Sequence, residues 1–461
     1  MTTLAARVAD WIARLRYEDL PAAVVADCRL RVLDIIGLAL AATALPLGRA
    51  VRQAAAALGS GTAAEIIGFG DRTSAALAAL VNGTLAHGMD FDDTHNASVM
   101  HSSAPVVGTA LAIGQEAGID GRALILAVAA GNELNCRLGM VAPGAFHEPG
   151  LHPTSVLGTP TAALIASRLL GLDKAAVVSA LGISGSQASG ILEAYADGSW
   201  SKTLHPGWAA HAGIVAAQLA RAGFTGPASV FEGRYGIFRS HVQEPGYRFD
   251  FAQATASLGT RWELLENAFK FYPCAHAIHA FVEAALELRV RHGLAPEAIG
   301  RVELLVPVHF VGQIAEPRDV KLRPRTPTHA RASLLYAVAC ALARGGLGMA
   351  DYAEDAIGDP AVLRLAERIV HRIDTAPRPE IRFCGSVVIE TLDGRRVEAV
   401  VDDARGTGRR KVGAAEVEAK FRDTAGQMLP PDGVERLIEM VARLENLASL
   451  EPLLASARIP R

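Results

Sequence analysis

At 461 residues the chain is too long for one ordinary core. Half of it is hydrophobic, only 5% is aromatic and 44 residues are glycine, a composition suited to close-packed helices rich in small side chains. A net charge of −3, with no long basic or acidic run, excludes the usual signature of a nucleic-acid binder. Five scattered cysteines without CxxC spacing exclude a disulfide framework and a cysteine zinc site, and they fit the reduced cytoplasm.

The chain opens on MTTLAARVADWIARLRYEDL, an amphipathic helix pattern and not a signal peptide. The longest apolar stretch, LDIIGLALAATALPLG from Leu33, carries Asp34 and Pro46 and is too short and broken to span a membrane. Apolar residues recur at helical spacing to about residue 265, punctuated by Gly, Pro, Asn and Asp.

Directly after the alanine-rich run Ala75–Ala86 comes HGMDFDDTHNASVMH, from His87 to His101. Three aspartates, three histidines and a threonine in fifteen residues mark a site with chemical work. If the preceding helix persists, Asp90 and Thr94 share one face, with His87 a turn before Asp90. Asp90, Thr94 and His101 are then the functional residues. Asp92, Asp93 and His95 are expected to be structural.

Three times a histidine precedes small or capping residues, a proline and an apolar helical run: His101, His152 and His205. Proline favours the first helical position, so each histidine is expected near a helix N-terminus, where free N–H groups and the dipole suit a carboxylate. Lysine is scarce. Of 45 basic residues six are Lys, leaving 39 Arg. Lys202 and Lys270 sit among aromatic and apolar residues, a setting that suits acid–base work. Lys174, Lys321, Lys411 and Lys420 lie in polar contexts and read as surface residues.

After Pro273 the texture changes. CAHAIHAFVEAALELRVRHG is a helix, RVELLVPVHF alternates as a strand, and RASLLYAVACALARGG is a second helix. The segment from Ile381, with alternating runs around Asp393-Gly394, predicts a hairpin. The fold class is therefore mainly α. Residues 1–265 form an all-helical domain, 266–402 a smaller α+β domain, and 403–461 helices that return to the first.

DFDDT matches the Asp-x-Asp-x-Thr nucleophile of haloacid-dehalogenase-like phosphatases, but it follows a helix and not a strand. A metal site lacks the fixed spacings of known centres. No glycine-rich dinucleotide fingerprint, P-loop or GxSxG elbow occurs. A metal-free acid–base site is the reading that survives.

At these residues the chain resembles the MmgE/PrpD family. The matching pieces are NGTLAHGMDFDDTH, LHPTSVLGTPTAALIASRLLGL, SKTLHPGWAAHAG, FKFYPCAHAIH and RASLLYAVACAL. The resemblance implies a large helical domain with an α+β lid, a homodimer and no cofactor; from the residues themselves a cytoplasmic location, no bound metal and no membrane or nucleic-acid partner are expected. It implies a small di- or tricarboxylate substrate in the cleft between domains, as in 2-methylcitrate dehydratases, cis-aconitate decarboxylases and an iminodisuccinate epimerase. It places Asp90, Thr94, His101, His152, Lys202, Lys270 and Tyr336 at the active site; Asp90, His101, His152 and Lys270 are expected in catalysis, and Thr94, Lys202, Tyr336 and, from its place in the histidine-led pattern, His205 in substrate binding. His152 or Lys270 is expected to take a proton next to a carboxylate, with His101, paired with Asp90, as the opposing acid. Dehydration of a 2-methylcitrate-like substrate is the leading expectation, ahead of epimerisation, decarboxylation and a non-catalytic polyanion binder. The loop between Thr94 and His101 is one residue longer than in the decarboxylase branch, and DGSWS stands before Lys202 where the family shows a Gly-Thr-x-Thr-like run.

Overall fold

A computed structural model describes residues 2–375, 383–408 and 410–460. The long helix Ser201–Arg221 is the axis of the helical part. It packs against Ala75–His87, Ser103–Ala117, Gly158–Leu169 and Lys174–Gly185. Small residues make this closeness attainable. A Cβ added at Gly207 would lie 2.1 Å from the Leu80 carbonyl oxygen, so two helix backbones touch at this point. That contact fixes where the C-terminal end of Ala75–His87 meets the first turn of Ser201–Arg221, the place where His87 and Lys202 stand.

Two hydrophobic cores form. The first takes in Leu4 to Leu264 and also Phe421, Leu437 and Leu453 from the C-terminal helices. Helix Ala414–Ala425 lies on helix Ala22–Ala42, where Gly37 makes room for the Phe421 ring. The second core runs from Cys274 to Ala404. It sits between helices His279–His292 and Leu334–Arg344 and a four-stranded sheet, whose order is Ile369–Asp374, Ile299–Pro307, Gly385–Thr391 and Arg396–Val401. The first pair is parallel and the others antiparallel. The hairpin turns at Asp393-Gly394 as the sequence predicts, with Gly394 at φ +87. Ile381 and Arg382 of that segment lie outside the described residues. Among the described residues no single helix is long and apolar enough to cross a membrane.

Several local expectations are corrected. Helix Ala75–His87 does not persist to Thr94. It stops at His87, and Asp90 takes a left-handed conformation at φ +52. His205 does not precede a helix, because Ser201–Arg221 begins four residues earlier and carries Pro206 inside. Lys321 and Lys420 are not surface residues, being 3% and 5% exposed. The Lys321 ammonium donates to the Gln313 and Ala332 carbonyl oxygens at 2.6 and 2.9 Å, and burial lowers its pKa to about 8.

Candidate active site

The two parts meet through a short antiparallel pairing of Thr94–His95 with Asn267–Ala268. Arg31, fully buried, ties it down. Its guanidinium donates to Asp27, to Asp93 at 2.6 Å, and to the carbonyl oxygens of Leu264 and Asn267. Two residues beyond Ala268 stands Lys270, which this pairing delivers to Asp90.

Asp90 is the hub. Lys270 Nζ donates to Asp90 Oδ1 at 2.5 Å and to its main-chain oxygen at 2.8 Å, while Lys202 Nζ donates to Oδ2 at 3.0 Å. The left-handed backbone of Asp90 turns its carbonyl and carboxylate toward one ammonium together. Burial opposes the charge, but Lys202 and Lys270 outweigh it and hold the Asp90 carboxyl well below its usual range. Burial opposes the charge on Lys202 too, yet Asp90 leaves its pKa raised.

Around this triad stand four imidazoles. His87 and His101 have ring centroids 4.8 Å apart, each lies 5.8 Å from His152, and His152 is 5.1 Å from His205. Burial, then the nearby ammoniums, keeps all four from protonating in the ordinary range, with His205 lowered to about 3. Their contacts fix tautomers. His87 Nδ1–H donates to Asp92 Oδ1 at 2.7 Å, so its Nε2 accepts from Lys202 Nζ at 3.0 Å. His101 Nδ1–H donates to the Asp93 carbonyl oxygen at 2.8 Å, with Thr94 Oγ1 at 3.3 Å. That leaves the His101 Nε2 lone pair facing Asp90 Oδ1 at 3.7 Å.

Ring nitrogens of His87, His101 and His152 lie within 4.8 Å of one another, as do ligand atoms of His87, Asp90, Asp92 and His101. This set fits a metal poorly. Both nitrogens of His87 are already engaged, and two ammoniums occupy the centre where a cation would add to their charge.

The cleft is lined by Asp90, Thr94, His101, His152 and Lys202 from the helical side, and by His276, Phe310, Gln313 and Phe383 from the lid. It encloses about 30 Å³. That is well below the roughly 300–1,000 Å³ of typical ligand pockets. Gln313 Nε2 bridges the seam to the Tyr195 hydroxyl at 3.1 Å.

Profiles of the MmgE/PrpD N-terminal domain and of the MmgE/PrpD C-terminal domain match residues 6–250 and 272–446. The chain belongs to the MmgE/PrpD family. Within this family it is similar to the cis-aconitate decarboxylase of Aspergillus terreus (strain NIH 2624 / FGSC A1156), 27% identical over 99% of this chain and 96% of the relative. It is also similar to the human cis-aconitate decarboxylase, 31% identical over 70% of this chain and 66% of the relative. The mainly helical architecture with a smaller α+β part is that of an MmgE/PrpD protein.

Of the residues singled out from the sequence, Asp90, Thr94, His101, His152, Lys202, His205 and Lys270 come together. Tyr336 does not reach the cleft. Ser333 caps its helix, and the Tyr336 hydroxyl donates to the Asp351 carbonyl oxygen at 2.6 Å inside the lid core. Lys270, a candidate base by sequence, is committed to Asp90 and shielded from solvent. The helix N-terminus expected after His101 is not open either. After His101, the Ser102 and Ser103 N–H groups are taken by Asp93 Oδ1, which also fits the structural role expected of Asp93. His95 bonds Ser98 Oγ away from the cleft. Asp92 departs from expectation, since it orients His87. His87 itself, Tyr195, His276 and Gln313 were not assigned to the site from sequence. Only His87, a turn before Asp90, and His276, inside FKFYPCAHAIH, left a signal there.

Proposed function

We propose that this chain is a cofactor-independent acid–base lyase acting on a small polycarboxylate, with decarboxylation of a cis-aconitate-like tricarboxylate as its reaction. The observation that carries the reading is the Asp90 carboxylate gripped by Lys202 and Lys270 beside four neutral imidazoles. Lys202 presents an ammonium in a buried cleft, where electrostatic attraction for substrate carboxylates is strong. In decarboxylation the bond from carbon to one carboxylate breaks and CO2 leaves. The electron pair moves through the double bond, and the far carbon takes a proton. His152, which lines the cleft, supplies that proton from Nε2–H after it and His205 together have taken up one proton from solvent, so that both rings are left neutral. The names of the curated relatives support this choice over the dehydration that the sequence favoured.

One observation favours a second reading. The free Nε2 lone pair of His101 is a base, and decarboxylation needs none, whereas dehydration begins by removing a proton next to a carboxylate. Incubation with cis-aconitate, 2-methylcitrate and iminodisuccinate in heavy water, followed by NMR, separates the cases. CO2 release marks decarboxylation, a new alkene without CO2 marks dehydration, and deuterium exchange without net reaction marks epimerisation. Chelator is expected to leave the rate unchanged. No change in any of the three substrates would falsify the proposal.

A further inference from the structure

His205 lies behind His152 as seen from the cleft. His152 lines the cavity; His205 does not. Their Nδ1 atoms are 2.9 Å apart, and the residues are 3% and 6% exposed. Both backbones are pinned. His152 caps the short helix that begins with Pro153, and its N–H donates to the Gly190 carbonyl oxygen at 2.9 Å. Ser155 Oγ donates to the His205 carbonyl oxygen at 3.2 Å. Gly190, at φ +131, runs close over the pair, and a Cβ there would come within 2.8 Å of Ser155 Cβ and 3.4 Å of His205 Cδ2. His205 shares the first turns of its helix with Lys202, so one element aims both groups.

We propose that His205 is a positioning residue that acts through His152, trading the proton between their Nδ1 atoms so that His152 shows the cleft either a bare Nε2 or an Nε2–H. The proposal rests on the acid–base reading above. Two neutral imidazoles in Nδ1–Nδ1 contact share one hydrogen between them. When His152 Nδ1 holds it, His152 Nε2 is a lone pair and can take a proton from carbon. When the pair has taken up one proton and His205 Nδ1 holds the shared hydrogen, His205 carries the charge and His152 keeps a hydrogen on Nε2; as that hydrogen goes to carbon the shared one returns to His152 Nδ1, and the pair is left neutral. The exchange balances. As His152 Nε2 gains a proton, the N–H bond at His152 Nδ1 breaks and one forms at His205 Nδ1, and the positive charge moves one ring away from the cleft. Returning the proton reverses each step. The titratable groups facing His205 are His152, Lys202 and His87, and burial with Lys202 keeps the resting pair neutral. Without His205, His152 would have to hold the added charge itself, beside Lys202.

The test uses the full-length protein with ¹⁵N-labelled histidine and the variants His205→Asn and His205→Ala, with His152→Ala to assign signals. An Asn amide can hold the His152 ring near Nδ1 but cannot pass a proton on. The wild type is expected to show a hydrogen-bonded Nδ1–H signal shared by His152 and His205, retained in shifted form with Asn and lost with Ala. On cis-aconitate, His205→Asn is expected to keep KM within about two-fold while kcat falls by about 10²-fold, the size of one acid–base contribution, and its pH profile shifts. A His152 Nδ1 signal indifferent to His205→Ala overturns the proposal. So does a His205→Asn enzyme with wild-type kcat and pH profile. The NMR arm needs no turnover, so it decides the histidine pair even if no polycarboxylate is consumed and the functional reading falls.

Discussion

Lys270 Nζ reaches Asp90 twice, at the carboxylate Oδ1 (2.5 Å) and at the main-chain oxygen (2.8 Å). A residue from the lid side thus fixes both the charge and the unusual backbone of a residue from the helical side. Asp90→Asn leaves two buried ammoniums facing each other without their anion. Removing one partner of a buried pair costs roughly 3–5 kcal/mol. Chemical denaturation should show a loss of that order, and turnover of cis-aconitate should fall at least about 10²-fold. A double variant that also carries Lys270→Met should recover part of the stability and none of the activity.

The Asp90 loop is held from below by the C-terminal part of the chain. Lys420 Nζ donates to the Phe91 carbonyl oxygen at 2.8 Å, pairs with Asp34 Oδ1 at 2.8 Å, and lies 4.1 Å from the Phe91 ring centre. Lys420→Met keeps the bulk but strands the Asp34 carboxylate, at a cost of about 3–5 kcal/mol. Urea unfolding should register that loss. Asp34→Asn combined with Lys420→Met should recover most of it, while kcat stays low because the loop has lost its anchor.

Gly207 tests the helix contact that brings Lys202 to His87. Its added Cβ would sit 2.1 Å from the Leu80 oxygen, and neither backbone can yield without moving a helix. Overpacking of this kind costs roughly 1–3 kcal/mol. Gly207→Ala should lower Tm and reduce kcat together. Gly346→Ala, where nothing lies within 4 Å, is the control expected to change neither.

Acid should unfold this protein early. Nine histidines, His87, His95, His101, His147, His152, His205, His276, His279 and His329, are held below 6.5, first of all by burial. Below pH 6.5 the unfolded chain binds protons that the folded chain refuses, so stability falls as pH falls. Asp27, Asp34, Asp92 and Glu133 oppose this, because burial raises their folded pKa values, Asp34 to about 6, and protonation relieves them. These carboxylates lessen the slope, to which each histidine adds at most about 1.4 kcal/mol per pH unit. Urea midpoints at pH 7, 6 and 5 should drop steeply. A flat or rising series contradicts the burial of these imidazoles.

Much of this was legible in the sequence, for identifiable reasons. The dense HGMDFDDTHNASVMH segment and the scarcity of lysine pointed to Asp90, His101, Lys202 and Lys270 because charge in apolar sequence is costly unless it is used. The hairpin was legible because its turn residues are local. The pairing of Thr94 with Ala268 was not, since it joins residues far apart in sequence. The break after His87 was hidden because Asp90 enters the left-handed region, which any helical extrapolation misses. Lys420 read as a surface residue because its partners, Asp34 and Phe91, come from the other end of the chain. Tyr336 was misplaced because its motif fixes a helix position but not the direction in which that helix faces.

The most direct test of the central claim, that Asp90, Lys202 and Lys270 organise one acid–base site for a polycarboxylate, is decarboxylation of cis-aconitate in heavy water by the wild type, Asp90→Asn and Lys202→Met, followed by NMR. The expected result is CO2 release by the wild type, one solvent deuteron on a product carbon, and rates lower by about 10²-fold or more in both variants. Near-wild-type rates in either variant, or a product without solvent deuterium, would contradict it.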